Sequence, residues 1–315
     1  MTFNHNKSSK FYSDEYRVNL PTYKGEESTI VVASDIHFHE HVDKELFLSM
    51  IRYCNRVNAD YVIMPGDLIE SFDFLNNSKE KTFFEYIIRE LASFSKVIIT
   101  LGNHEMNDLG LKKSKNNCDM IKYFDSLNRI KNVYFLNNEQ VKINDINFLG
   151  FSPRFETYLK YNDDVRDMTV EDYIKSNLKM ERDNFNLLVT HNPLLLKDAW
   201  VYDIISDFRE YTDLVITGHI HDAYMPKCLD KYFENTNCGF FITPFINPFV
   251  GGICRGIHDF GRGYLFVSQG FRKYTSDNLL FNIFETFTAN DLEKIVLDTN
   301  TDEKGFSFKK DIKNK

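Results

Sequence analysis

Five short apolar runs in this sequence each stop at residues able to hold a metal or move a proton. Ile30-Val-Val-Ala-Ser leads into Asp35 and His37, and Tyr61-Val-Ile-Met-Pro into Gly66-Asp67. Val97-Ile-Ile-Thr-Leu leads into Gly102-Asn103-His104-Glu105, Leu187-Leu-Val-Thr into His191, and Leu214-Val-Ile-Thr into Gly218-His219-Ile-His221. Leaving His104 aside, the set holds two carboxylates, one amide and four imidazoles. Mixed oxygen and nitrogen donors suit borderline divalent ions such as Mn, Fe and Zn. Seven donors are too many for one tetrahedral ion but suit two ions sharing a carboxylate. Two ions about 3.5–4 Å apart can hold a bridging hydroxide at neutral pH and clamp both oxygens of an in-line phosphoryl displacement. A lone His is more often a hydrogen-bonded structural residue than a ligand. Recurrence at five strand ends points instead to a two-metal phosphoesterase.

Such distant residues converge only if the chain lines up their strands. Strand-like runs at Thr29–Ala33, Tyr61–Met64 and Lys96–Thr100 alternate with amphipathic helical patterns over about 43–58, 79–94 and 118–127. That order is the signature of βαβ units and a parallel sheet, whose carboxyl edge forms a ligand crevice. The pattern then changes. Val133–Leu136, Gln140–Ile143 and Asn147–Phe151 are short, close runs and are expected in a second sheet. A polar helix is expected over 169–182, strands at 186–190 and 213–217, and a helix over 194–208. Closing strands of the second sheet are expected at 264–268, 280–287 and 295–298. Residues 222–262 hold several Pro, Gly and aromatic residues, and are expected to form a long lid or binding loop. Residues 1–28 are read as an N-terminal arm with a strand near 16–20, and 301–315 as a charged, frayed tail. One domain over 29–300 remains, with no internal repeat.

The net charge of −8 argues against a general nucleic-acid binder, which needs a basic surface. Five widely spaced Cys without a CxxC pair fit a reducing compartment. Residues 1–20 lack a signal-peptide core, and no run approaches membrane-span length. The expected location is the cytoplasm, with contact at the inner membrane face as the alternative.

The ordered motifs D-x-H, G-D, G-N-H-[DE], H and G-H-x-H resemble those of the calcineurin-like metallophosphoesterases, over about residues 29–285. The resemblance implies an α/β fold: a four-layer αββα sandwich of two mixed β-sheets flanked by helices. It implies that Asp35, His37 and His221 bind one divalent ion, that Asp67 bridges, and that Asn103, His191 and His219 bind the second. His104 looks like the histidine that assists the leaving group. Departures narrow the branch. Gly66-Asp67-Leu68-Ile69-Glu70-Ser71-Phe72 lacks the D-R-G of Ser/Thr protein phosphatases and the Tyr of purple acid phosphatases. The C-terminal part is closer to bacterial phosphodiesterases and pyrophosphohydrolases, some acting on lipid-linked substrates. Asp222-Ala223-Tyr224 stands where many of them have G-G-Q.

The expected reaction is therefore hydrolysis of a phosphodiester or pyrophosphate by a metal-bridging hydroxide, on a small-molecule or lipid-linked substrate. A phosphomonoesterase using the same site is the alternative. A non-catalytic module on this fold is a third reading, set against the retention of all eight motif positions. Arg255, between Gly252 and Gly256, is the candidate phosphate grip, and Arg262 reads as ordinary surface. His39 and His41 read as solvated loop, as do Lys112, Lys113 and Lys115. Phe240, Phe241, Phe245 and Phe249 read as core or lid packing, with a lipid site as the other reading. Oligomeric state is not legible.

Overall fold

Alternate residues of the central strands face different neighbours, and this splits the apolar core into three layers. In the computed structural model, Val31, Val62, Met64, Val97 and Ile99 point into one buried cluster, while Ile30, Val32, Tyr61, Ile63 and Ile98 point into another. The second cluster also takes Phe148, Leu187, Val189, Leu214, Ile216 and Phe266. It is thus the interior between two sheets. The other face of the second sheet, with Leu149, Leu188, Val215 and Leu265, forms a third cluster. A strand covered on both sides must be apolar throughout, which is why these runs show no polar alternation.

The structure describes residues 11–40, 42–106, 115–158, 163–176, 178–193, 210–219, 256–271, 291–299 and 302–314. The first sheet has seven strands: β1 (Phe11–Asn19), β2 (Ser28–Val32), β3 (Tyr61–Pro65), β4 (Lys96–Thr100), β5 (Val133–Phe135), β12 (Asp291–Asp298) and β13 (Gly305–Asn314). Their spatial order is β13-β1-β12-β2-β3-β4-β5. Strands β2 to β5 run parallel, and β12 is antiparallel to β2. The second sheet has β6 (Glu139–Ile143), β7 (Ile146–Phe151), β8 (Phe185–Thr190), β9 (Leu214–Thr217), β10 (Gly256–Phe260) and β11 (Gly263–Val267), in the order β10-β11-β9-β8-β7-β6. Here β7, β8, β9 and β11 run parallel, with antiparallel β6 and β10 at the edges.

Helices α1 (Lys44–Arg56), α2 (Ser78–Ala92) and α4 (Lys115–Ser126) cover the outside of the first sheet through Phe47, Met50, Phe84, Ile88, Met120 and Phe124. Asp43 and Asn77 cap α1 and α2 by accepting from the first backbone N–H groups. A short helix, α3 (Asn103–Met106), opens directly from β4. Helix α5 (Asp163–Ser176) covers the second sheet through Tyr173. The expected layered sandwich of two mixed sheets between helices is the observed architecture.

Several local expectations are corrected. The N-terminal segment is not an arm outside the domain: β1 lies inside the first sheet, between β12 and β13. The C-terminal segment is not a frayed tail, because β13 pairs with β1. Residues 133–135 join the first sheet beside β4 rather than the second. Strand β12 also belongs to the first sheet. The expected 222–262 loop ends early, since 256–260 pair with β11 as a hairpin. Helix α5 begins and ends about six residues before the 169–182 expectation. The 194–208 helix and the 280–287 strand fall outside the described residues. Among the described residues, no helix is long and apolar enough to cross a membrane.

Candidate metal centre

The motif-bearing strands deliver their ends to one place. Loops after β2 and β3 run side by side: Asp35 N donates to Gly66 O at 3.2 Å, His37 N to Asp67 O at 3.0 Å, and Phe38 N to Leu68 O at 2.8 Å. The loop after β9 reaches across from the other sheet. Its His219 N donates to Asp35 Oδ1 at 3.1 Å, and Gly218 N donates to His191 O at 3.0 Å. A Cβ at Gly218 would lie 2.5 Å from Asp35 Oδ2, so only glycine permits this approach between the sheets. Gly66, at φ +91°, meets the backbone of Gly102 in the same way, with a virtual Cβ 2.5 Å from Gly102 N.

Positive φ outside glycine is confined, among the described residues, to two kinds of position. Asn58, Asn132, Asn138 and Asn144 occupy it, as Asn readily does. The others are Asp35, His37, Asp67 and His219, all named from the motifs. Left-handed backbone at an Asp or His costs free energy, and such residues gather where a site's geometry demands them.

The side chains form overlapping sets. Donor atoms of Asp35, His37 and Asp67 lie within 4.8 Å of one another, as do those of Asp67, His191 and His219. Asp67 belongs to both. His191 and Asp35 are fully buried, and Asp67 nearly so. His191 Nδ1 lies 2.7 Å from Pro65 O. A carbonyl only accepts, so Nδ1 holds a proton there and Nε2 is left as the ligating nitrogen. That Nε2 lies 3.1 Å from Asp67 Oδ2 without hydrogen-bond alignment. Asn103 Oδ1 is also buried, with no hydrogen-bond partner among the described residues. Buried acceptors left open beside two carboxylates fit divalent cations, which would satisfy them together.

Electrostatics agree. Burial alone would push the Asp67 carboxyl up, but the charges of His191, His104 and His37 hold it well below the usual range. Burial would lower His191. Asp67 and Asp35 outweigh that and lift it to about 9. The metal-free site therefore keeps a proton where a cation would sit.

His104 sits at the edge of this centre. Its ring packs edge-on to His37 at 4.5 Å, and its backbone N donates to Asp67 Oδ1 at 2.8 Å. Its Nδ1 lies 2.9 Å from Glu70 O, so that nitrogen also holds a proton and Nε2 is the one turned to proton exchange. Burial would lower its pKa, yet the charge of Asp67, the bond to Glu70 O and the charge of Glu70 raise it.

Two acids outside the expected ligand set, Glu70 and the Glu105 of the G-N-H-[DE] motif, also lie at the site. Glu70 Oε2 lies 3.1 Å from His37 Nδ1. Glu105, fully buried, accepts four backbone N–H groups: Leu68 at 2.6 Å and Ile69 at 2.8 Å on Oε1, and Asp67 at 3.0 Å and Gly102 at 2.7 Å on Oε2. Glu105 had a local signal, since a Glu at the third helical position reaching back to the cap N–H is half of a capping box. Glu70 had none, because its role depends on where His37 lies in space. His221 and Arg255 fall outside the described residues, as do His41, Lys112, Lys113 and the aromatic run 240–249. Arg262 is not at the site. It donates to Asp213 Oδ2 at 2.7 Å and to the carbonyls of Arg182 and Asn184, and so ties the β10–β11 turn to the strand starts.

Carboxylates and imidazoles gathered at strand ends between two sheets form overlapping groups that could hold metal ions. The sequence profile described as calcineurin-like phosphoesterase matches residues 28–223, more than half of the chain. The chain belongs to the calcineurin-like phosphoesterase family, a family of metal-dependent phosphoric ester hydrolases. An uncharacterized metallophosphoesterase of Campylobacter jejuni is 25% identical over 254 residues, covering 80% of this chain and 56% of that protein. The chain thus spans little more than half of that relative's length. Among solved structures, a dimetal phosphatase from Danio rerio is similar at TM-score 0.40 and 12% identity, covering 77% of this chain and 87% of that one. A 5'-nucleotidase precursor from Thermus thermophilus is similar at TM-score 0.36 and 12% identity, covering 62% and 42%.

Two outcomes follow. Glu105→Gln keeps the size but offers one acceptor oxygen for four N–H groups and turns an NH2 toward two donors. It should cost about 2–4 kcal/mol in urea unfolding and weaken Mn binding; wild-type values in both would show the carboxylate to be dispensable. The second concerns pH. His191 is raised from an unfolded value of about 6.5 to about 9. Its stabilisation of the metal-free protein is therefore full below the lower value and lost as pH rises through the upper one. Thermal melts of chelator-treated protein should fall across that window, whereas Mn-loaded protein should gain stability over it, because the ion competes with the proton. Parallel curves for the two forms would contradict this.

Proposed function

We propose that this chain is a two-metal phosphoesterase that hydrolyses a phosphodiester or pyrophosphate bond, on a phosphorylated small molecule or a lipid-linked substrate. The observation behind this reading is the overlap of two donor sets at one carboxylate, Asp67, with His104 at their edge. Asp35, His37 and Asp67 form one set, to which the motif adds His221. Asp67, His191 and His219 form the other, joined by Asn103 with its open Oδ1. Divalent ions (Mn, Fe or Zn), when bound, supply an activated water at neutral pH and neutralise charge on the phosphoryl oxygens.

The chain's own residues do the rest. Buried Asp67 and Asp35 hold the positive charge in a low-dielectric crevice between the sheets, where field effects are strongest. Pro65 O fixes the tautomer of His191, and Glu70 O fixes that of His104. His104 then presents Nε2 to the leaving oxygen as proton donor. Diester is favoured over monoester by the missing D-R-G after Asp67 and by the segment 263–270, which resembles bacterial phosphodiesterases. Arg255 is the proposed grip on a further phosphate oxygen. Composition and cysteine usage favour action in the cytoplasm, with the aromatic 222–255 stretch as the part suited to a membrane face.

The test is hydrolysis of an aryl phosphodiester and its matching monoester by chelated, then Mn-reloaded protein. Diester turnover should require the metal and exceed monoester turnover, and His104→Ala should lower kcat about 10²–10⁴-fold. Monoester preference would move the assignment to a phosphomonoesterase. Metal-independent turnover, or an unaffected His104→Ala, would refute the mechanism.

A further inference from the structure

The segment from Ser152 to Tyr158 follows β7 and is tied down along its length. Ser152 N donates to Asn138 Oδ1 at 2.9 Å, and Asn138 Nδ2 returns a bond to Ser152 O at 3.1 Å. Arg154 N and Nε donate to the Asp172 carboxylate of α5 at 2.7 and 2.8 Å. Thr157 Oγ1 donates to Arg154 O at 2.8 Å. This turn delivers Tyr158 to the metal centre. Its ring lies 5.4 Å from the ring of His219 and 6.1 Å from that of His191. The Phe155 ring stacks with it at 6.3 Å.

The ring is partly exposed, yet the hydroxyl oxygen is buried, so the polar end points inward. Among the described residues nothing hydrogen-bonds to it. A buried hydroxyl without a partner calls for an explanation, because burial strips its water for no return. Buried structural tyrosines normally find an acceptor. Here the hydroxyl is carried on a ring that lies against the His191 and His219 imidazoles.

We propose that Tyr158 binds substrate directly, its phenol donating a hydrogen bond to a non-bridging phosphoryl oxygen on the His191–His219 side of Asp67. This rests on the phosphoesterase reading above. His104 stands on the His37 side of the same carboxylate. The two donors then divide the work: His104 serves the leaving oxygen, and Tyr158 an oxygen that stays on phosphorus. The anchored turn makes the phenol a preorganised donor.

The test uses full-length Tyr158→Phe, which removes only the unpartnered hydroxyl. Calorimetric titration of inorganic phosphate into Mn-loaded protein should show a dissociation constant raised about tenfold, the size of one hydrogen bond to a charged acceptor. The kcat/KM for the aryl diester should fall about 10–100-fold. Mn affinity without phosphate, and the melting temperature, should match wild type. Tyr158→Leu should lose at least as much phosphate affinity, which covers a packing effect peculiar to Phe. Phosphate affinity and kcat/KM within twofold of wild type in Tyr158→Phe would overturn the assignment. So would a fall in Mn affinity matching the fall in phosphate affinity, which would make the residue a support for the ligands. Wild-type Mn-loaded protein that neither binds phosphate nor turns over would overturn the underlying phosphoesterase reading as well, and so separates the two failures.

Discussion

The centre depends on one buried carboxylate whose two oxygens are taken up by backbone N–H groups. Glu105 accepts the N–H groups of Asp67, Leu68, Ile69 and Gly102, and so binds the loop after β3 to the loop after β4. Without it, four donors would be buried with nothing to accept them, and each such group costs about 1–3 kcal/mol. Burial and the nearby Asp67 charge push its pKa up, while the bonds from Ile69 and Gly102 pull it down. The balance is local and tight. It forces Asp67 into its left-handed conformation beside Gly102 and lets His104 N reach Asp67 Oδ1. Asp67 and His104 are thus placed by the same anchor.

Strain elsewhere in the site is held by the sheets. Asp35, His37, Asp67 and His219 all adopt positive φ. Each lies within a few residues of a strand paired on both sides: β3 and β9 have parallel neighbours, and β2 lies between parallel β3 and antiparallel β12. A one-residue slip would turn Ile63, Ile98 or Ile216 out of the layer between the sheets and into the layer on the other face, and so mismatch the packing of both. Packing between the sheets therefore sustains backbone conformations that a free loop would abandon.

How much of this was legible in sequence follows from which signals are local. Apolar β-branched runs and the acid, amide or His after each run are read within a few residues, and the structure brings Asp35, His37, Asp67, Asn103, His104, His191 and His219 to one crevice. Sheet membership is not local. Val133–Phe135 has the same pattern whether it pairs with β4 or β6, and β12 enters the first sheet from nearly two hundred residues past β4. Strand β13 reads as a charged tail because an edge strand needs only one apolar face, here Phe306 and Phe308, with Lys residues among them. Tyr158 looks like any loop tyrosine until Arg154 and Asp172 fix its turn.

The loop from Pro65 to Glu70 has a reach that its sequence does not advertise. It supplies the shared carboxylate of Asp67, the carbonyl that orients His191 and the carbonyl that orients His104. The Glu70 side chain also lies against His37. Both carbonyls take the Nδ1 proton of their imidazoles, and so turn both Nε2 atoms toward the site. His191 from one sheet and His104 from the other are thereby referenced to one stretch of backbone, itself held by Glu105. A displacement of that stretch would move the Asp67 charge and both imidazoles together. At Glu70 the two roles are divided: its main chain orients His104, while its side chain lies against His37.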